Sequence, residues 1–158
     1  MKIRHTFFAA VLSLNMAAAY GQDVHTHHHM PTHDSRAVLE LTPGERAMIL
    51  EEMRMFLGGV QTMTGALGKQ DMTAAAESAR GMGQKMVHEV PSALRAKLPL
   101  EFRQLGFSVH RDFDQIALDA ESMKDVSYSL NQLSATLQKC VSCHATYQIQ
   151  TPAFNDKH

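Results

Sequence analysis

Both cysteines of this 158-residue chain fall in one short run, Cys140-Val141-Ser142-Cys143-His144. Cys-x-x-Cys-His is the attachment signature of a c-type haem. The two thiols add to the haem vinyl groups as thioethers, and the adjoining imidazole binds the iron from one side. On a helix, positions 140, 143 and 144 stand at i, i+3 and i+4 and share one face. Three other chemistries use such residues. A thioredoxin-like dithiol sits where a strand meets a helix N-terminus, and this chain has no βαβ pattern. A zinc site needs a fourth ligand, and there is no second cysteine pair. A disulfide spanning three residues of one helix would constrain almost nothing. The motif therefore points to one haem c per chain, with Cys140 and Cys143 as covalent anchors and His144 as the proximal iron ligand.

A motif near the end of the chain needs elements to hold it. Thr42-Pro43-Gly44-Glu45 is a capping box with proline at the first helical position. Apolar residues then recur at threes and fours (Ile49, Met53, Phe56, Leu57, Val60, Met63, Leu67), which predicts a first helix ending near Gly68. A second is expected from Met72 to His88, with a face of small residues, Ala75, Ala76 and Ala79, and with Gly81 and Gly83 weakening it. Pro91 and Pro99 bracket a connection with room for one helical turn. A third helix runs from Leu100 to Met123 on a stripe of Phe102, Leu105, Val109, Phe113, Ile116, Ala117 and Ala120. Asp125 or Ser127 caps a fourth, which puts Leu130, Leu133, Leu137, Cys140 or Val141, His144 and Tyr147 on one face and stops at Pro152. No alternating strand pattern competes. The expected class is all-α, an antiparallel four-helix bundle over residues 42–151 with haem on the C-terminal helix and a short tail over 152–158.

With its haem motif on the last of four helices, the chain resembles the class II c-type cytochromes, the cytochrome c′ group. The stretch Cys140-Val-Ser-Cys-His-Ala-Thr-Tyr147 is similar to that family's C-terminal signature, and the helix layout extends the likeness over roughly residues 42–149. The family commonly has arginine after the aromatic residue, where this chain has Gln148. The resemblance implies two kinds of iron site. In low-spin relatives a first-helix methionine completes the iron, which suits electron transfer; in others an apolar side chain leaves the iron five-coordinate and open to small gases. Among Met48, Met53, Met55 and Met63 of the first helix, Met53 lies on the core stripe and is the expected distal ligand, with Met48 at the stripe's edge as the alternative. His110 stands one position off the third stripe and is expected to be a hydrogen-bonded histidine near the core rather than a ligand.

The front of the chain reads as an address. Lys2, Arg4 and His5 precede an apolar run from Phe7 to Ala19, then small residues, the layout of a signal peptide over residues 1–21 cleaved near Gly21. That run is short for a membrane span, and no later segment could make one. A periplasmic protein follows, which suits a haem attached outside the cytoplasm. Residues 22–41 read as a flexible tail rich in histidine, with His25, His27, His28, His29 and His33 as candidate ligands for metal capture. A net charge of −1 argues against nucleic acid as a partner. No paired carboxylates or nucleophile–base set suggests an enzyme. The function expected is electron carriage between periplasmic redox proteins, by a monomer or homodimer. A gas-binding haem module and metal capture by the tail are the alternatives.

Overall fold

The computed structural model describes residues 34–152; the expected signal peptide, the histidine cluster of residues 22–33 and the chain after Pro152 lie outside the described residues. The described residues are mostly helical, with five α-helices and one small parallel sheet among them. In order they are β1 (Ala37–Glu40), α1 (Pro43–Gly68), α2 (Met72–Gly81), α3 (Ser92–Lys97), α4 (Leu100–Met123), α5 (Val126–Thr146) and β2 (Tyr147–Gln150). None of the described helices is long and apolar enough to cross a membrane.

Local chemistry sets the helix starts. The Thr42 side chain accepts the Glu45 N–H at 3.3 Å while the Glu45 carboxylate accepts the Thr42 N–H at 2.9 Å, so the expected capping box is present. Glu45 also pairs with Lys97 at 2.7 Å, fastening the end of α3 to the start of α1. Lys97 beside it and the Thr42 amide hold the Glu45 carboxyl below its ordinary value. Asp71 and Asp125 cap α2 and α5 through the amides of Ala74 and Tyr128. Between α4 and α5 the chain turns through Lys124 in the left-handed region, with φ 53°.

The dense core lies where α2 packs on α1 and α4. Ala75, Ala76 and Ala79 of α2 are fully buried, and their small side chains let the helices approach closely. Met63 and Leu67 of α1, Phe113, Ile116, Ala117 and Ala120 of α4, and Leu133 of α5 complete it. Burying one such large side chain stabilises the fold by about 1.5–3 kcal/mol. A smaller cluster joins Leu39, Leu41, Ile49, Leu94 and Leu98 beneath the sheet.

Four expectations need correction. The second helix does not continue to His88; it ends at Gly81, and Gln84–Glu89 form a 3₁₀ helix. Asp114 of α4 draws the chain away, accepting the Gln84 amide at 3.1 Å and its side chain at 3.0 Å. A Cβ on Gly83 would overlap the Asp114 carboxylate, so this close approach needs glycine. The flexible tail expected over residues 22–41 is ordered at its end: Ala37–Glu40 pair in parallel with Tyr147–Gln150, Ala37 opposite Tyr147, and Leu39 and Leu41 are buried. For the same reason α5 stops at Thr146 rather than at Pro152, and Tyr147 belongs to β2. Finally, α5 buries Ser129, Leu133 and Thr136, whereas Leu130 and Leu137 are exposed. The helix packs closely on α4 but not on α1, so its buried face is rotated toward α4.

Candidate cofactor site

Because α1 and α5 are not closely packed, an open cavity of about 410 Å³ lies between them, floored by α4. Its size falls within the roughly 300–1,000 Å³ of ordinary small-molecule and cofactor sites. Met53, Phe56, Leu57 and Val60 come from α1, and Phe102, Leu105 and Val109 from α4. Leu137, Cys140, Cys143 and His144 come from α5. Each helix contributes at three- and four-residue intervals, so the stripes read in the sequence form one apolar wall. The structure thus brings Met53, Cys140, Cys143 and His144, far apart in the chain, to a single cavity. Met48 is exposed and lines a different cavity.

The cysteines are free and half-buried. Burial pushes both thiols above their ordinary value, and the neighbouring Cys140 adds to the shift at Cys143. That is the reverse of a redox dithiol, which needs a stabilised thiolate. The Cys140 thiol turns back to the Thr136 carbonyl at 3.7 Å. The helix carrying them is tied to α4 by Lys139, whose ammonium meets Asp112 at 2.5 Å. His144 is exposed at the cavity wall, with its backbone carbonyl accepting from the Arg36 guanidinium at 3.2 Å. Gln148 returns a bond to the Arg36 carbonyl at 3.1 Å, and Tyr147 sets its ring edge-on to Phe102, centroids 5.2 Å apart. Gln148, standing where the resembled family has arginine, is therefore part of this junction between the chain's two strands.

His110 is buried, as expected of a histidine bonded near the core. Its Nδ1 lies 2.9 Å from the Met82 carbonyl and its Nε2 3.1 Å from a Glu52 oxygen. A carbonyl can only accept, so Nδ1 carries a proton; Nε2 then donates to the ionised carboxylate when the ring is an imidazolium. Burial opposes that charge, but the Glu52 and Met82 bonds outweigh it and raise His110 above its ordinary value. Both ring nitrogens are thereby engaged, which leaves neither free to bind iron. Phe56 spans the two regions, its ring 4.9 Å from His110 and 5.7 Å from Phe113.

Sequence reasoning passed over Glu52, Arg36 and Lys139. Glu52 and His110 are 58 residues apart, and Arg36 and His144 are 108 apart, so no local spacing announces either pair. Lys139 carried a signal only in adjoining Cys140. Among the described residues, no group of three or more His, Cys, Asp and Glu could hold a metal ion by itself. Compared with protein-family models, curated proteins and solved structures, the chain gives no match.

Proposed function

We propose that the chain is a c-type haem protein of the four-helix-bundle type that carries electrons. The observation that carries this proposal is the cavity itself. Free Cys140 and Cys143, with His144 next to them, share an apolar chamber with a methionine from another helix. These residues fit a haem: thiols for the two thioether links, an imidazole for one side of the iron, and apolar walls for the ring. Bound there, a haem would supply one-electron exchange between Fe(III) and Fe(II).

The chain's own groups have separable roles. Cys140 and Cys143 would anchor the ring edge, and His144 would be the proximal ligand. Met53 would be the distal ligand, since a thioether on the second side favours Fe(II) and raises the potential. Phe56, Leu105 and Val109 keep water from the walls. Lys139, held by Asp112, fixes the helix that bears the anchors. Export to a periplasm, partner redox proteins and the absence of a bond-making activity belong to the same proposal.

The test is expression with a haem-attachment system, followed by mass spectrometry and by optical and magnetic spectra in both oxidation states. One covalent haem per chain is expected, lost in Cys140→Ser/Cys143→Ser, with a low-spin iron that becomes high-spin in Met53→Ala. A high-spin wild-type protein that takes up carbon monoxide would replace Met53 ligation with a gas-binding site. A chain that acquires no covalent haem overturns the proposal. Metal capture by the histidine cluster rests on residues outside those described.

A further inference from the structure

The α4 row Phe102–Gly106–His110, one residue per turn along one face, carries a ring at each end and no side chain between them. Glycine inside a helix costs stability relative to alanine, so a reason for it is to be sought in what lies close by. At Gly59 and Gly83 the reason is the protein itself: an added Cβ would overlap the Met82 side chain or the Asp114 carboxylate. At Gly106 a Cβ would meet nothing within 4 Å. The same holds for Gly44, Gly58, Gly65, Gly68 and Gly81, but those are exposed, whereas Gly106 is half-buried. Its notch lines the larger cavity and an adjoining one of about 390 Å³, and the two share Ile49, Glu52, Phe102, Gly106 and His110. The register of α5 on α4 sets the height of the notch. Lys139 meets Asp112 and Tyr147 meets Phe102, so His144, between them, stands about level with Gly106.

We propose that this notch receives the edge of the haem ring, and that Gly106 is the positioning residue that sets how closely the ring approaches α4. The inference rests on the haem reading of the larger cavity. A wall that only had to be apolar would gain from alanine here, both in helix propensity and in filled space. A planar ring held at the level of its proximal ligand gains from the opposite, because carbon atoms in contact need about 3.5–4.0 Å between centres. Phe102 and His110, one turn to either side, bound the ring edge along the helix. His110 is itself fixed by Met82 and Glu52, so that boundary does not yield.

The test compares thermal unfolding midpoints of the haem-loaded protein and of the haem-free Cys140→Ser/Cys143→Ser protein, each with Gly106→Ala, Gly106→Leu or Gly58→Ala. In the haem-free protein Gly106→Ala should raise the midpoint by about 2–6 °C, and Gly106→Leu should not lower it. In the haem-loaded protein Gly106→Ala should bring no gain, and Gly106→Leu should lower the midpoint by about 4–12 °C through overpacking against the ring. The same Leu variant should show a high-spin fraction in its optical spectrum, as the ring shifts relative to Met53. Gly58→Ala, on the exposed side of α1, should raise both forms alike. Equal gains from Gly106→Ala in the two forms would overturn the proposal and leave the haem reading standing. So would a loss in the haem-free protein, which would mean that the chain itself fills the notch. A wild-type chain that acquires no covalent haem overturns both.

Discussion

The two sides of α4 are built from similar stripes and finished differently. Toward α2, Phe113, Ile116, Ala117 and Ala120 are closed in by side chains of α1 and α2, and almost nothing is exposed. Between α1 and α5, Leu105 and Val109 meet an open cavity whose rim carries Leu57, 72% exposed, and Leu137. The closed side places alanines and glycine at its contacts, so backbones approach. The open side places large side chains on helices that stay apart. Close packing on one side thus holds the frame, while the other side leaves its apolar surface lining a cavity.

The comparison breaks most directly at its centres. Phe113→Ala should cost about 3–5 kcal/mol of unfolding free energy, measured by chemical denaturation, because it leaves a hole in filled core. Leu57→Ala in the haem-free protein should change stability by no more than about 0.5 kcal/mol. Comparable losses at both positions would mean that the cavity side is as structural as the core. Next comes the boundary. His110→Gln can keep one bond but no charge, and should cost about 1–3 kcal/mol at acid to neutral pH. Its pH dependence has a definite sign. Because the folded value is raised above the ordinary 6.5, the contribution of His110 is fully present below 6.5 and is lost as pH rises through the folded value. Wild-type stability should therefore fall over that window, and the variant's should be flatter. The smallest effect is at Ser129, whose buried hydroxyl has no partner among the described residues. Ser129→Ala should be neutral or stabilise by up to about 1 kcal/mol, because the same packing survives without a stranded polar group.

What the sequence disclosed follows the range of the forces involved. The Thr42–Glu45 box, the Asp125 cap and the bounds of α4 are set by residues within a turn of one another, and they are where the pattern puts them. Cys140, Cys143, His144 and Met53 reach one cavity because each sits on a helical stripe. The shortfalls have distant causes. The end of α2 depends on Asp114, 30 residues beyond Gln84. The strands have four residues each, too few for alternation to declare itself, and their pairing joins Ala37 to Tyr147 at opposite ends of the described residues. The buried face of α5 departs from the sequence pattern because leucine looks more like core than serine or threonine. Thr136 nevertheless lies inside, its hydroxyl satisfied by the Gln132 carbonyl at 3.0 Å, while Leu137 faces the cavity.

The parallel pairing of β1 with β2 makes the described chain nearly circular in its connections. A C-terminal helix ordinarily frays from its last turn, because its final carbonyls have no partners of their own. Here the turn ending at Thr146 runs directly into a strand held by the opposite end of the domain, and Leu41 extends the ladder to Gln150 at 3.0 Å. Opening either end therefore releases the other, and amide exchange at Leu39 and at Gln150, whose N–H groups lie in the ladder, should report one shared opening event. The residues around His144 thus gain a rigidity that originates at the far end of the polypeptide. Any pull on the segment before Arg36 would be felt first at the wall of the larger cavity.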